Sequence, residues 1–187
     1  GLDTKNYVLK KSFNNNLKVI FASRLLKDKG INEFIELAKS LKGSNMEFFI
    51  AGDIDLGNPE SLSFNELENL KKLDYVNYLG FVNIENEIHK YDVIVSLSAH
   101  EGFSRILLES SFVGLYVVSF ENSGTKFISE LENSKLISNL NIDSFKEVLE
   151  NLQETKLSLS TKNRDLIERN YSSNEIAKQF NNIYKSV

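Results

Sequence analysis

The sequence predicts an α/β fold with a mostly parallel sheet of about six strands, on three observations. Short β-rich apolar runs alternate with stretches of helical period, the pattern of repeated βαβ units. Several of those runs are continuously apolar, as strands covered on both faces are. The length, 187 residues, is that of one domain at about 100–200 residues per domain.

The first run, Leu17 to Ala22 (LKVIFA), reads as a strand. It is followed by a helix whose apolar residues Ile31, Phe34, Ile35, Ala38 and Leu41 recur at helical spacing. Met46 to Ala51 (MEFFIA) is the second strand, and the stretch with Phe64, Leu67 and Leu70 the second helix. Tyr75 to Leu79 reads as a third strand, Ile84 to Tyr91 as a short helix, and Val93 to Leu97 (VIVSL) as a buried fourth strand. A helix is predicted over Ser104 to Val113, a fifth strand over Leu115 to Phe120, and a short sixth over Lys135 to Ser138. From Asp143 the pattern is helical to the end. In the last helix Ser172 and Glu175 have capping-box spacing, and Ile176, Phe180, Ile183 and Val187 form one apolar stripe.

Composition excludes several classes. The 22 basic and 26 acidic residues give a net charge of −4, and they interleave in sign, so no basic stripe follows a nucleic-acid backbone. With no cysteine there is no disulfide framework, thiolate nucleophile or cysteine metal site, which suits a reducing cytosol. His89 and His100, without clustered carboxylates, are a poor coordination set, so no metal site is expected. No run of 18 apolar residues exists, and GLDTKNYVLK lacks the charged head and apolar core of a signal peptide. Neither a transmembrane segment nor export is expected.

In open parallel sheets ligands sit beyond the carboxyl ends of the strands. After the first strand, Ser23-Arg24-Leu25-Leu26-Lys27-Asp28-Lys29-Gly30 places two cations, Arg24 and Lys29, ahead of a helix, where they suit a diphosphate. Such residues alone are ordinarily just solvated. The second and third strands end in Ala51-Gly52-Asp53 and Gly80-Phe81-Val82, with glycines that let backbone approach a flat ligand or simply make turns. No G-x-G-x-x-G or Walker-type motif is present. The loop after the fourth strand, Ser98-Ala99-His100-Glu101-Gly102-Phe103-Ser104-Arg105-Ile106-Leu107-Leu108-Glu109, is the informative one. Glu101 and Glu109 face one region from different heights, and the N–H groups from Phe103 to Ile106 open a helix with its positive dipole end. Carboxylates accept from hydroxyls whereas a helix N-terminus favours an anion. A nucleotide sugar carries both.

The motif His-Glu-Gly-Phe-Ser-(four residues)-Glu resembles the E-x7-E motif of glycosyltransferase family 4 (group 1), retaining transferases of GT-B fold. Ser23-Arg24-Leu25 through Lys29-Gly30 resembles that family's R-L-x-x-x-K-G. Ile50-Ala51-Gly52-Asp53, Leu79-Gly80-Phe81-Val82 and Asp92-Val93-Ile94-Val95 are similar to its strand-end segments in the same order. Gly1-Leu2-Asp3-Thr4 resembles the stretch where its linker joins the second domain. The chain departs at Gly114-Leu115-Tyr116-Val117-Val118, where the family commonly has Gly-x-Pro-Val-Val, and at Ser123-Gly124-Thr125-Lys126-Phe127, where it has Gly-Gly-x-x-Glu.

The resemblance implies a Rossmann-like three-layer domain that is one half of a GT-B fold. Residues 1–187 are then a single nucleotide-sugar-binding domain, the C-terminal half of the enzyme, with its N-terminal acceptor domain absent. It implies a retaining hexosyltransferase moving a hexose or N-acetylhexosamine from an NDP-sugar, UDP-sugar foremost, to a saccharide or lipid-linked acceptor in glycan biosynthesis. The isolated domain is expected to be inactive. Glu101 is implied to contact the donor sugar, and Arg24 and Lys29 to neutralise the departing diphosphate. Glu109 would bind the ribose, the backbone of Gly102, Phe103, Ser104, Arg105 and Ile106 the sugar and phosphate, and that of Phe81 and Val82 would border the base. No metal or other cofactor is implied beyond the co-substrate. The expected location is cytoplasmic, peripheral at the inner membrane in the full-length protein. The competing readings are a noncatalytic nucleotide-binding module and a nucleotide-sugar epimerase-like domain.

Overall fold

Among the described residues, 1–139, 141–155 and 157–185, six strands form one sheet in the computed structural model of the chain. They are β1 (Leu17–Ala22), β2 (Met46–Ala51), β3 (Asn77–Gly80), β4 (Val93–Ser96), β5 (Tyr116–Phe120) and β6 (Ser134–Ile137). Their order is β3-β2-β1-β4-β5-β6 and every pairing is parallel. The helices are α1 (Ile31–Ser40), α2 (Phe64–Leu70), α3 (Ile84–Glu87), α4 (Arg105–Val113), α5 (Ile142–Glu154), α6 (Lys162–Tyr171) and α7 (Ser173–Lys185).

Alternate residues of each strand point to opposite faces, and both faces are covered. Val19 and Phe21 of β1 join Phe34 and Leu37 of α1 and Phe145 and Leu149 of α5. Ile20 joins Leu107, Leu108 and Phe112 of α4 and Ile167 of α6 on the other side. Three layers result, α/β/α. Each fully buried side chain of this size stabilises the fold by about 1.5–3 kcal/mol. α1 starts at Gly30, and α2 starts in a capping box, Ser63 Oγ accepting from Glu66 N at 3.3 Å and Glu66 Oε2 from Ser63 N at 2.7 Å. α4 ends at left-handed Gly114.

Several boundaries differ from those predicted. β3 covers Asn77–Gly80 and not Tyr75 to Leu79, because Asp74 and Tyr75 lie in a turn that Lys42 ties down through its 2.7 Å ion pair with Asp74. The predicted helix Ile84 to Tyr91 is α3 followed by a tighter 3-10 turn, Ile88–Lys90. Among the described residues the helical run from Asp143 is three helices, α5, α6 and α7. The break before α6 is fixed by Asn163, whose side chain accepts from Glu132 N at 2.8 Å and donates to Glu132 O at 2.7 Å. Ser172 caps α7 through its Oγ, which accepts from Glu175 N at 3.3 Å. The apolar stripe of α7 is not core: Phe180 and Ile183 are 56% and 59% exposed. Val187, also assigned to that stripe, lies outside the described residues.

Two features position the site. The sheet order reverses between β1 and β4, the switch point where two crossovers diverge and leave a crevice at the strand ends. The first residues of the chain return to α4: Leu2 N donates to Tyr171 O at 2.8 Å, and the Tyr7 ring meets Phe112 edge-on at 6.0 Å. Among the described residues no helix is long and apolar enough to cross a membrane.

Candidate functional site

Parallel register, Val19 beside Val93 and Ile20 beside Ile94, brings the carboxyl ends of β1 and β4 together. The loops that follow them enclose a cleft of about 360 Å³. Ser23, Arg24, Gly52, Asp53, Phe81, Val82, Arg105, Ile106 and Glu109 line it. Lys29 and Glu101 line a narrow recess that shares Ser23 and Ile106 with the cleft. The cations before the first crossover and the carboxylates after the fourth strand thus meet on one side of one sheet end.

Each cation of the site is paired with a carboxylate. Lys29 Nζ stands 2.9 Å from Glu101 Oε1, the two side chains being only 18% and 22% exposed. It also donates to His100 O at 3.4 Å. Arg24 Nη1 meets Asp55 Oδ2 at 2.7 Å, in the open. Arg105 Nε donates to Glu109 Oε1 at 2.6 Å, one helical turn along α4, and the Glu109 side chain is 9% exposed. The Arg105 guanidinium is held above its ordinary pKa, first by the hydrogen bond to Glu109. Asp53, which lines the cleft, accepts through its Oδ1 from Tyr78 Oη at 3.3 Å. Burial and then the Asp53 charge push the Tyr78 phenol up.

The first turn of α4 is less open than the sequence suggests. Ser104 N donates to Gly124 O at 3.1 Å, so one expected anion donor is occupied by the protein itself. Of the first-turn groups, those of Arg105 and Ile106 belong to residues that line the cleft. Gly124 has to be glycine for this contact, because a Cβ would lie 2.4 Å from Glu101 O. Gly102 is an exposed link between β4 and α4, and lines neither space. Phe103 turns away: its ring stacks on Phe127 at 4.9 Å and lies 5.8 Å from Tyr171, beside a separate groove of about 350 Å³.

The profile of the family described as "Glycosyl transferases group 1" matches residues 6–173. The chain belongs to that family. Among curated relatives of these group 1 glycosyl transferases, the capsular polysaccharide biosynthesis glycosyltransferase CapM of Staphylococcus aureus is 24% identical over 94% of this chain and 48% of its own. Among solved structures, the sucrose-phosphate synthase of Thermosynechococcus elongatus aligns with a TM-score of 0.82 at 16% identity, over 100% of this chain and 51% of its own. Anabaena HepE, solved with UDP and glucose, aligns at 0.77 with 19% identity, over 100% of this chain and 55% of its own. The fold matches that of the C-terminal domains of GT-B glycosyltransferases. The chain spans less than half the length of the curated relatives it matches.

Within this group 1 domain, the sequence does not mark two residues that the structure brings to the site or beside it. Asp55 lies in an irregular loop with no helical or strand spacing to mark it. Tyr7 is distant in sequence and reaches α4 only through the path of the chain. Gly52 was marked, but the structure gives a different reason for it: at φ +142° its missing Cβ would sit 1.8 Å from Ser23 O. The close approach it permits is to the protein's own backbone, which holds the Arg24 loop against β2.

Proposed function

We propose that this chain is the nucleotide-sugar-binding half of a retaining GT-B glycosyltransferase. It works with an N-terminal acceptor domain to move a hexose or N-acetylhexosamine from an NDP-sugar, UDP-sugar foremost, to a saccharide or lipid-linked acceptor. The observation that carries this reading is the convergence of Arg24, Lys29, Glu101 and Glu109 at the switch point. Relatives agree with it: CapM is named for capsular polysaccharide biosynthesis, and HepE was solved with UDP and glucose.

The ion pairs explain how a ligand engages. A diphosphate exchanges Asp55 for a phosphate at Arg24 and Glu101 for a phosphate at Lys29, so both cations are preset and charge-assisted bonds replace charge-assisted bonds. Released from Lys29, Glu101 accepts from donor-sugar hydroxyls. Glu109 accepts from the ribose, and the first turn of α4 adds N–H donors and its dipole. As the glycosidic bond breaks, charge grows on the departing diphosphate, where Arg24 and Lys29 stabilise it electrostatically. The reading requires no metal ion. Since transfer needs the acceptor held in line with the donor, this domain by itself is expected to bind nucleotide sugar weakly and to transfer little. Its place is cytoplasmic, peripheral at the inner membrane through the rest of the enzyme.

Calorimetry with UDP, GDP, their sugars and the free nucleosides tests the reading, and absence of any diphosphate binding overturns it. Joining the chain to an acceptor domain and assaying transfer separates enzyme from noncatalytic module. Arg24→Ala is expected to weaken diphosphate binding about tenfold, a charge-assisted bond being worth about 1.5–3 kcal/mol, and to spare nucleoside binding. Equal losses for both ligands would count against the assignment. Asp55→Asn removes the carboxylate that competes for Arg24. Because an exposed pair is worth at most about 1 kcal/mol, diphosphate affinity should rise by up to about fivefold, and a fall in affinity would contradict the exchange.

A further inference from the structure

Beneath the Arg105–Glu109 pair lies a hydroxyl that the reading above does not use. Tyr7 is 8% exposed, and its ring packs edge-on against Phe112, three residues along α4 from Glu109. Its Oη is buried and makes no well-aligned hydrogen bond among the described residues, although it lies within hydrogen-bonding reach of the Glu109 carboxylate and the Arg105 guanidinium. An unsatisfied buried hydroxyl costs about 1–3 kcal/mol. Packing requires only the ring, so a phenylalanine would fill the same space without that cost. The hydroxyl therefore calls for a role of its own.

Glu109 supplies one. Its side chain is 9% exposed and its Oε1 is engaged by Arg105, whose own side chain is 68% exposed and free to swing outward. A ligand that draws Glu109 from Arg105 would leave a nearly buried carboxylate short of a fixed donor on the protein side, and such a group is costly. We propose that Tyr7 is a positioning residue: when ribose hydroxyls occupy Glu109, the Tyr7 O–H donates to the carboxylate in place of Arg105 and fixes its plane toward the sugar. Burial, and after it the hydrogen bond to Glu109 and the Glu109 charge, push the phenol of Tyr7 well above its ordinary range, so it stays a protonated donor at working pH. Arg105 and Tyr7 thereby serve as alternate partners of one acid, the first from solvent and the second from the core. This assignment rests on the reading of Glu109 as the ribose contact.

The test is Tyr7→Phe, which keeps the ring against Phe112 and removes only the hydroxyl. Affinities for UDP and for 2′,3′-dideoxyuridine diphosphate are measured by calorimetry on the wild-type chain and the variant, with thermal unfolding alongside. Wild type should prefer the ribonucleotide. In the variant that preference should fall by about tenfold, the worth of a hydrogen bond to a charged group, with dideoxy affinity unchanged. A preference that survives in the variant overturns the role of Tyr7 and leaves the ribose reading intact. No preference in the wild type overturns both. Equal losses for the two ligands, with a lowered unfolding midpoint, would make Tyr7 structural only and would likewise sink the proposal. Tyr7→Leu separates the packing contribution: it should lower the midpoint further than Tyr7→Phe, and a ribose preference greater than that of Tyr7→Phe would overturn the proposal.

Discussion

Lys29→Ala should weaken nucleoside-diphosphate binding on the order of 100-fold, the effect expected when one partner of a poorly hydrated charge pair is truncated. Two losses combine. The ammonium that would meet the diphosphate is gone, and Glu101, 2.9 Å from it in the intact protein, becomes an unpaired carboxylate facing the same anion. Because Lys29 and Glu101 are 18% and 22% exposed, solvent screens this repulsion less than it would on an open surface. A cycle separates the terms: Glu101→Gln in the Lys29→Ala background should recover part of the loss by removing the repulsion, and the two changes should be non-additive. Free nucleoside, which lacks phosphates, should bind to within about twofold of wild type. Calorimetry with UDP and uridine reads all of this. A Lys29→Ala protein that binds both ligands as wild type does would remove Lys29 from the site.

That Lys29 and Glu101 stand at the same end of the sheet was legible in the sequence, because each residue is fixed by a short path from a buried strand, whereas their ion pair was not. Lys29 follows β1 by seven residues and Glu101 follows β4 by five, and the parallel sheet does the rest. Arg24, Arg105, Ile106 and Glu109 line the cleft for the same reason, each lying a short path beyond β1 or β4. What stayed hidden depends on where loops fold back. Asp55 reaches Arg24 through an irregular turn, and Gly124 takes the Ser104 N–H from across the β5 loop, so a donor that helix geometry offers is spent. The aromatic ring of Phe103 shows the limit of motif reading. Its side chain packs in the Phe127–Tyr171 cluster beside a separate groove and lines neither the cleft nor the recess. Periodicity likewise marks the apolar face of α7 without stating what lies against it.

Asp92→Ala should lower the stability of the domain by about 3–5 kcal/mol, a large part of the roughly 5–15 kcal/mol that holds such a fold together. Asp92 opens the segment that resembles a family strand end, yet it precedes β4 and so lies at the opposite end of the sheet from the cleft. It is fully buried. Its carboxylate meets Lys10 Nζ at 2.8 Å and accepts from Asn14 N at 3.0 Å, Asn14 Nδ2 at 2.8 Å and Lys18 N at 2.8 Å. Lys10, itself 4% exposed, also donates to Tyr91 O at 2.7 Å. One acid therefore ties the segment before β1, β1 itself and the start of β4 together. Removing it strands a buried ammonium and orphans backbone donors. Replacing the pair by two apolar residues should not restore stability, although such swaps often succeed for isolated buried pairs, because the Lys18 N–H inside the sheet would remain unsatisfied at about 1–3 kcal/mol. Chemical denaturation of Asp92→Ala and of Lys10→Met/Asp92→Leu measures both, and an unchanged midpoint in either would show that the acid does not bear this load. Nucleotide affinity of the folded Asp92→Ala fraction should stay within about twofold of wild type, since the lesion lies at the far ends of strands whose opposite ends carry the ligand.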